Sequence, residues 1–90
     1  MNIMNIPVAQ QPDGSVAPHM AGPGFATVNF TNDPGQPKTA IIAFFGFNQA
    51  VVNFDETGRA ALNYTMLNPG ATLEVQNSVV NIINHLTQLH

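Results

Sequence analysis

The chain alternates apolar and polar positions in the way that is typical of β-strands. In the stretch FATVNFT, Ala26, Val28 and Phe30 alternate with polar neighbours, which predicts a half-buried strand. The stretch from Lys38 to Phe47 is instead almost continuously apolar, which favours a strand covered on both faces. The pattern predicts four strands, at about residues 25–31, 38–47, 50–54 and 60–67.

Turn signals separate these strands. NDPGQP at residues 32–37 combines proline with glycine, and DETGR at residues 55–59 places a glycine where a hairpin needs a left-handed residue. Gly46 indicates a bulge or a bend, and residues 47–49 are expected to turn the chain. Because each connection is short, we expect an antiparallel meander.

The last twenty residues favour a helix from about residue 74 onward. Their apolar residues recur at alternating intervals of four and three positions, which is the spacing of one helix face. Asn68 or Thr72 could supply the N-cap. A competing interpretation makes residues 72–76, TLEVQ, a fifth strand. The residues of the helical stripe are Val75, Val79, Ile82, Leu86 and Leu89.

The apolar stripe of this helix has two possible roles. It could cover one face of the sheet, or it could pair with the same helix of another copy, because its spacing also matches a coiled-coil seam. The stripe spans only about two and a half heptads, so we favour packing on the sheet.

Residues 1–24 differ from the rest of the chain, since Pro7, Pro12, Pro18 and Pro23 interrupt them. Proline at this density opposes a helix or a central strand. We therefore expect an irregular N-terminal region, which is either a tail or an extended arm that orders on a neighbour. The predicted fold is α+β: this arm, followed at residues 25–90 by one small domain with a four-stranded meander and a C-terminal helix.

Charge is scarce. Charged residues make up 8% of the chain, against about 25% in typical soluble domains. Lys38 and Arg59 are the only lysine and arginine, which is too few for nucleic-acid binding or a polybasic membrane patch. The apolar run at residues 40–54 is interrupted by polar residues, so a membrane-spanning helix is not expected either.

Catalytic and metal-binding signatures are absent from the sequence. His85 and His90 are five residues apart, whereas metal-binding pairs on a helix are three or four apart. Asp13 and Asp33 look like turn formers, and Asp55 opens the hairpin turn with Arg59 as its expected partner. No base is placed to activate Ser15 or Ser78. We therefore predict a non-enzymatic protein without a metal or cofactor.

The phenylalanines raise the question of what covers the sheet. Phe44 and Phe45 are consecutive, so in a strand they would point to opposite faces. One helix covers only one face, and the other would need the arm, a second sheet or another subunit; we favour another subunit. The predicted interface residues are Ile3, Ile6, Val8, Phe44, Phe45, Phe47, Val79, Ile82 and Leu86.

Our functional prediction is a structural or protein-interaction module. It would form a homo-oligomer, a dimer or higher, through the apolar sheet face, and it could also bind another protein. A small component of a larger assembly such as a virion fits the low charge, with a cytoplasmic or virion-associated location rather than a secreted one. The alternative is a small-ligand binding module, with an apolar pocket between sheet and helix lined by the phenylalanines and Tyr64.

Overall fold

A computed structural model describes residues 2–32 and 38–88, apart from the side chain of Leu62. Six strands precede one helix in this part of the chain. The elements are β1 (Ile3–Gln10), β2 (Val16–Pro18), β3 (Gly24–Phe30), β4 (Thr39–Phe44), β5 (Phe47–Phe54), β6 (Ala60–Met66) and α1 (Leu73–Gln88).

The six strands form one antiparallel sheet in the order β2-β1-β3-β4-β5-β6. The sheet curls into a half-barrel, and α1 lies on its concave side. Alternate residues of each strand point into the concave side and form a continuous core with the helix, as their spacing of two requires. The predicted α+β class is therefore confirmed, with six described strands instead of four. The buried core includes Ile6, Val8, Val28, Ile42, Val52, Val79, Ile82, Ile83 and Leu86.

The expectation of an irregular N-terminal arm was wrong for most of its length. Ile3–Gln10 is a full strand that pairs with β3, and Val16–Pro18 pairs with the end of β1. Proline is tolerated here because β2 is an edge strand and, on the β2 side, the first half of β1 has no neighbouring strand. Pro7 needs no N–H on that side, and its carbonyl accepts a hydrogen bond from the His19 N–H at 2.9 Å.

The connection from β2 to β3 crosses over β1. Val8 pairs with Pro18 on one side and with Gly24 on the other, so the intervening residues pass over the strand at this level. Gly22 lies so close to β1 that a Cβ placed on it would be 2.2 Å from the Val8 carbonyl oxygen. Only glycine fits such an approach of two backbones.

The β4–β5 hairpin turns earlier than the sequence predicted. Its two-residue loop is Phe45-Gly46, and β5 already begins at Phe47. A β-bulge follows the turn: Ala43 pairs with Asn48 and Ile42 pairs with Ala50. Gln49 is therefore the extra, unpaired residue of the bulge. The Gln49 side chain is buried and donates a hydrogen bond to the Phe44 carbonyl at 3.0 Å. Because the bulge shifts the alternation by one residue, the sequence pattern indicated a strand only from residue 50.

The β5–β6 connection lies where the sequence placed it. Gly58 has a φ of 84°, the left-handed conformation expected of the glycine in DETGR. Asp55 holds this turn by accepting hydrogen bonds from the backbone N–H groups of Thr57 and Arg59, at 2.9 and 3.0 Å. The other predicted turn is NDPGQP at residues 32–37. Residues 33–37 lie outside the part of the chain that the structure describes.

Helix α1 begins directly after Thr72, whose hydroxyl accepts a hydrogen bond from the Val75 N–H at 3.4 Å. Thr72 is therefore the N-cap, and the alternative of a fifth strand at residues 72–76 was wrong. The apolar stripe packs against the chain's own sheet, as we favoured, with Val79, Ile82 and Leu86 buried. Leu89 lies outside the described residues.

Side chains of α1 bond the backbone of both edge strands. At β2, Ser78 Oγ accepts the Val16 N–H at 2.8 Å, and Asn81 Nδ2 donates to the Val16 carbonyl at 3.1 Å. At the opposite edge, the Thr87 hydroxyl lies 3.0 Å from the carbonyl oxygen of Ala60 in β6 and 3.0 Å from that of Ile83 in α1, so it donates a bifurcated hydrogen bond to both. The helix thus supplies hydrogen bonds that a neighbouring strand would otherwise make.

Replacement of Gly22 tests the crossover. We expect Gly22→Ala to lower the free energy of unfolding by about 3 kcal/mol, because the added methyl group would have to displace the β1 backbone. Gly24→Ala is the control, since its Cβ would make only ordinary van der Waals contacts with Val8, at 3.8 Å from a side-chain methyl group and 3.9 Å from the carbonyl oxygen. Urea unfolding measures both; equal stabilities for the two variants would contradict the close approach.

A pair of asparagines tests the helix-to-edge bonds. Asn81→Ala should cost about 1 kcal/mol, the usual net contribution of a hydrogen bond whose loss leaves a carbonyl unpaired. Asn84→Ala, one turn further along on an exposed position, should be neutral or slightly stabilising because alanine favours helix. Thermal unfolding measures the stability of both variants. A larger loss of stability in Asn84→Ala than in Asn81→Ala would contradict a stabilising hydrogen bond from Asn81 to the β2 edge.

Candidate interaction site at one end of the sheet

The most unusual backbone in the described residues is the tip of the β4–β5 hairpin. Phe45 has a φ of 55° and Gly46 a φ of 80°, which makes this a type I′ turn. Phe45 is the one non-glycine residue with positive φ among the described residues. Asparagine or glycine is preferred at such a position, and a bulky aromatic residue there costs on the order of 1 kcal/mol.

The strain at Phe45 is not offset by burial of its side chain in the core. Its side chain is 53% exposed, whereas the preceding Phe44 is 4% exposed and belongs to the core. The two rings meet edge to face, with centroids 5.2 Å apart. The prediction that these residues point to opposite faces of one strand was wrong, because Phe45 is in the turn and not in β4.

Other apolar side chains are exposed beside this tip. Antiparallel pairing brings the start of β3, the β4–β5 turn, the end of β6 and the start of α1 to the same end of the half-barrel. Five of the seven exposed large hydrophobic side chains of the described residues lie there. We call this surface the aromatic end; it consists of Phe25, Phe45, Phe47, Leu67 and Leu73.

Phe45 separates three grooves at the aromatic end. On the Phe25 side lies a groove of about 190 Å³, bordered also by Phe47 and Asn48. A second, of about 280 Å³, runs toward Val16 and Pro23. The third and largest, about 410 Å³, lies between the hairpin tip and the start of α1. The Phe45 ring can insert into a recess of a complementary surface, and the grooves beside it can accept a side chain from that surface.

The charges near the aromatic end are acidic. Asp13, in the β1–β2 turn, and Glu74, in the first turn of α1, lie at this end of the molecule. Lys38 and Arg59 lie beside β4 and β6 at the opposite end. An anionic partner such as a phosphate-rich surface would therefore find no cation at the aromatic end among the described residues.

The predicted interface residues divide into two groups. Six of them are buried in the chain's own core: Ile6, Val8, Phe44, Val79, Ile82 and Leu86. The remaining three, Ile3, Phe45 and Phe47, are exposed, and two of those belong to the aromatic end. Phe25 was not among the predicted interface residues, although its alternation with Ala26 and Val28 indicated that it lies on the opposite face. Leu67 and Leu73 were not among them either, because Leu67 follows the last residue of β6 and Leu73 is the first residue of α1, outside the apolar stripe.

The convex face of the sheet is mixed in character. The described side chains on this face are uncharged, and asparagine and threonine are interspersed with small or branched apolar residues. Thr27 Oγ1 donates to Asn5 Oδ1 at 3.3 Å, and Asn53 Nδ2 donates to the Asn63 carbonyl at 3.2 Å. The concentrated apolar surface is therefore the end of the sheet and not its face.

Groups that could support metal binding do not converge in the described residues. No three histidine, aspartate or glutamate side chains lie close enough together there to hold a metal ion. His19 and His85 line a groove beside β1, and His90 lies outside the described residues. No helix in the described part of the chain is long and apolar enough to cross a membrane.

Comparison with known proteins identifies no relative. No family model, no curated protein and no solved structure matches this chain significantly.

Two carboxylates should make the fold sensitive to acid. Hydrogen bonds from Ser15 lower the pKa of Asp13 below its ordinary 3.8, and those from Thr57 and Arg59 do the same for Asp55. A lowered pKa in the folded state means that the stabilisation is complete above pH 3.8 and is lost as pH falls through the folded-state pKa. Unfolding at a series of acidic pH values should show this loss, and an Asp13→Asn, Asp55→Asn double variant should show less of it. An unchanged pH dependence in that variant would contradict the assignment.

Proposed function

We propose that this protein is a non-enzymatic interaction module that self-associates through its aromatic end. The observation that supports this most directly is Phe45, a half-exposed aromatic residue held at positive φ. Strained positions that the fold does not require are concentrated at functional sites in proteins. Asparagine at this position would make a less strained hairpin, so the phenylalanine is explained better by a contact outside the chain.

A second copy of the chain is the partner that the shape of this end favours. A twofold interface uses the same surface on both subunits, so it needs a protrusion and a matching recess side by side. Phe45 is the protrusion, and the groove of about 410 Å³ between the tip and α1 is the recess. Phe47 and Val75 line that groove with apolar surface.

The low charge of the chain favours the same conclusion. Surfaces rich in charge of one sign keep copies of a protein apart, whereas this chain has a net charge of −3. Apolar side chains clustered at one end, with a polar rim that includes Asn48, Asn68 and Thr72, resemble the anatomy of protein interfaces. A role as a small component of a larger assembly, such as a virion, would use this contact, and the alternative of a small-ligand module stays a prediction.

Phe45→Asn separates association from folding. Asn-Gly is a favoured type I′ sequence, so the variant should unfold at an equal or higher denaturant concentration. Burial of a phenylalanine contributes roughly 1.5–3 kcal/mol, so the dissociation constant of the self-complex should rise about 10- to 100-fold. Sedimentation velocity over a wide concentration series measures this.

Met20→Gln is the matched control, because Met20 is 98% exposed but lines none of the three grooves at the aromatic end. It should associate like the unaltered protein. A protein that is monomeric at every concentration tested, or a Phe45→Asn variant that associates as strongly as the original, would overturn the proposal.

A further inference from the structure

Strand β1 has an open edge over its first half. The Asn2 carbonyl accepts from the Phe30 N–H, whereas the Pro7 carbonyl accepts from His19 on the other side of the strand. Backbone groups alternate in direction along a strand, so the N–H and C=O groups of Ile3 and Asn5 point away from β3. The register of β1 with β3 is continuous from Ile3 to Val8, so no bulge changes this alternation.

The edge is open because β2 is short. It pairs only with Val8–Gln10, and after Pro18 the chain leaves the sheet to cross over β1. A longer β2 would have continued beside Asn5 and Ile3. Its place is taken by a groove of about 380 Å³ between this edge and the helix. We call this groove the open lane; Met4, Ile6, Pro18, His19, Met20 and His85 line it.

The open lane is bordered by the same side of α1 that forms hydrogen bonds with β2. Ser78 and Asn81 bond the N–H and C=O of Val16. His85 is four residues beyond Asn81, so it lies one turn further along the same side of α1. The His85 imidazole makes no hydrogen bond with another described residue, and it carries both the donor and acceptor types that a peptide backbone requires.

We propose that the open lane binds an extended peptide segment of a partner protein, which adds to the sheet as a strand in line with β2. Ile3 and Asn5 would supply the backbone hydrogen bonds on one side, and His85 would face the added strand on the other. This is the chemistry of β-strand addition, in which backbone bonds give affinity and pockets select alternate side chains.

The lining defines the kind of segment that fits. Met4, Ile6 and Pro18 present apolar surface, and no lysine, arginine, aspartate or glutamate lines the lane. The partner segment should therefore be uncharged where it lies in the lane, with a medium-sized apolar side chain at every second position. This site is separate from the aromatic end, so the inference does not depend on the proposed self-association.

The test uses the capped synthetic peptide KTVTVTK, which is extended by propensity and apolar at alternate positions. Titration into the isotopically labelled full chain should shift the NMR signals of Ile3, Asn5 and His85. Two versions of the peptide, N-methylated either at its valines or at its threonines, block opposite edges of the strand. One version should bind about 10-fold more weakly than the other, the loss expected when a backbone hydrogen bond is removed.

Two variants of the chain provide matched controls. Asn5→Pro removes the N–H that faces the lane, as proline already does at residue 7, and should weaken binding about 10-fold. Asn5→Ala loses the same side chain but keeps the N–H, so it should bind like the original. Absence of binding at millimolar peptide, equal binding of the two methylated peptides, or shifts at Phe45 and Phe47 instead of the lane would each overturn the proposal. The methylated peptides keep the test valid if Asn5→Pro fails to fold.

Discussion

The structure depends on one arrangement, in which a single helix joins both edges of a curled sheet. A six-stranded open sheet leaves two rows of unpaired backbone groups, and exposed edges of this kind promote uncontrolled pairing. Here α1 packs its apolar stripe into the concave side and bonds Val16 at one edge and Ala60 at the other. A chain of ninety residues can bury only a limited core, and this arrangement gives it a nearly closed structure without a second layer of sheet.

The two proposed binding surfaces lie where this arrangement is incomplete. At one end, the hairpin tip extends beyond the start of the helix, so Phe45 and its neighbours stay exposed. At the other end, β2 stops after Pro18, and the helix faces an empty strand position beside Ile3 and Asn5. The arrangement that closes the core therefore leaves one apolar surface and one unpaired strand edge, and these are the two surfaces that we propose as binding sites.

The sequence predicted the local elements better than their assembly. β3 and α1 were predicted correctly, from the alternation in FATVNFT and from the four-three spacing after Thr72. Both patterns arise because one face of the element is buried. The strand at Ile3–Gln10 was missed because Pro7 looks incompatible with a sheet until the open edge is known. The strain at Phe45 was equally hidden, since the bulge at Gln49 shifts the pattern, and φ cannot be read from apolarity. Three of the nine predicted interface residues are exposed, and the other six serve the chain's own core.

Amide hydrogen exchange of the unliganded protein, measured by NMR residue by residue, tests the central claim most directly. If α1 substitutes for a strand neighbour, the Val16 N–H should exchange only through large-scale opening, as slowly as amides in the middle of the sheet. The amides of Ile3 and Asn5 should exchange much faster than those of Met4 and Ile6, which pair with β3. Rapid exchange of Val16, or equal protection of all four β1 amides, would contradict the account of a half-barrel closed by its helix with one strand position left open.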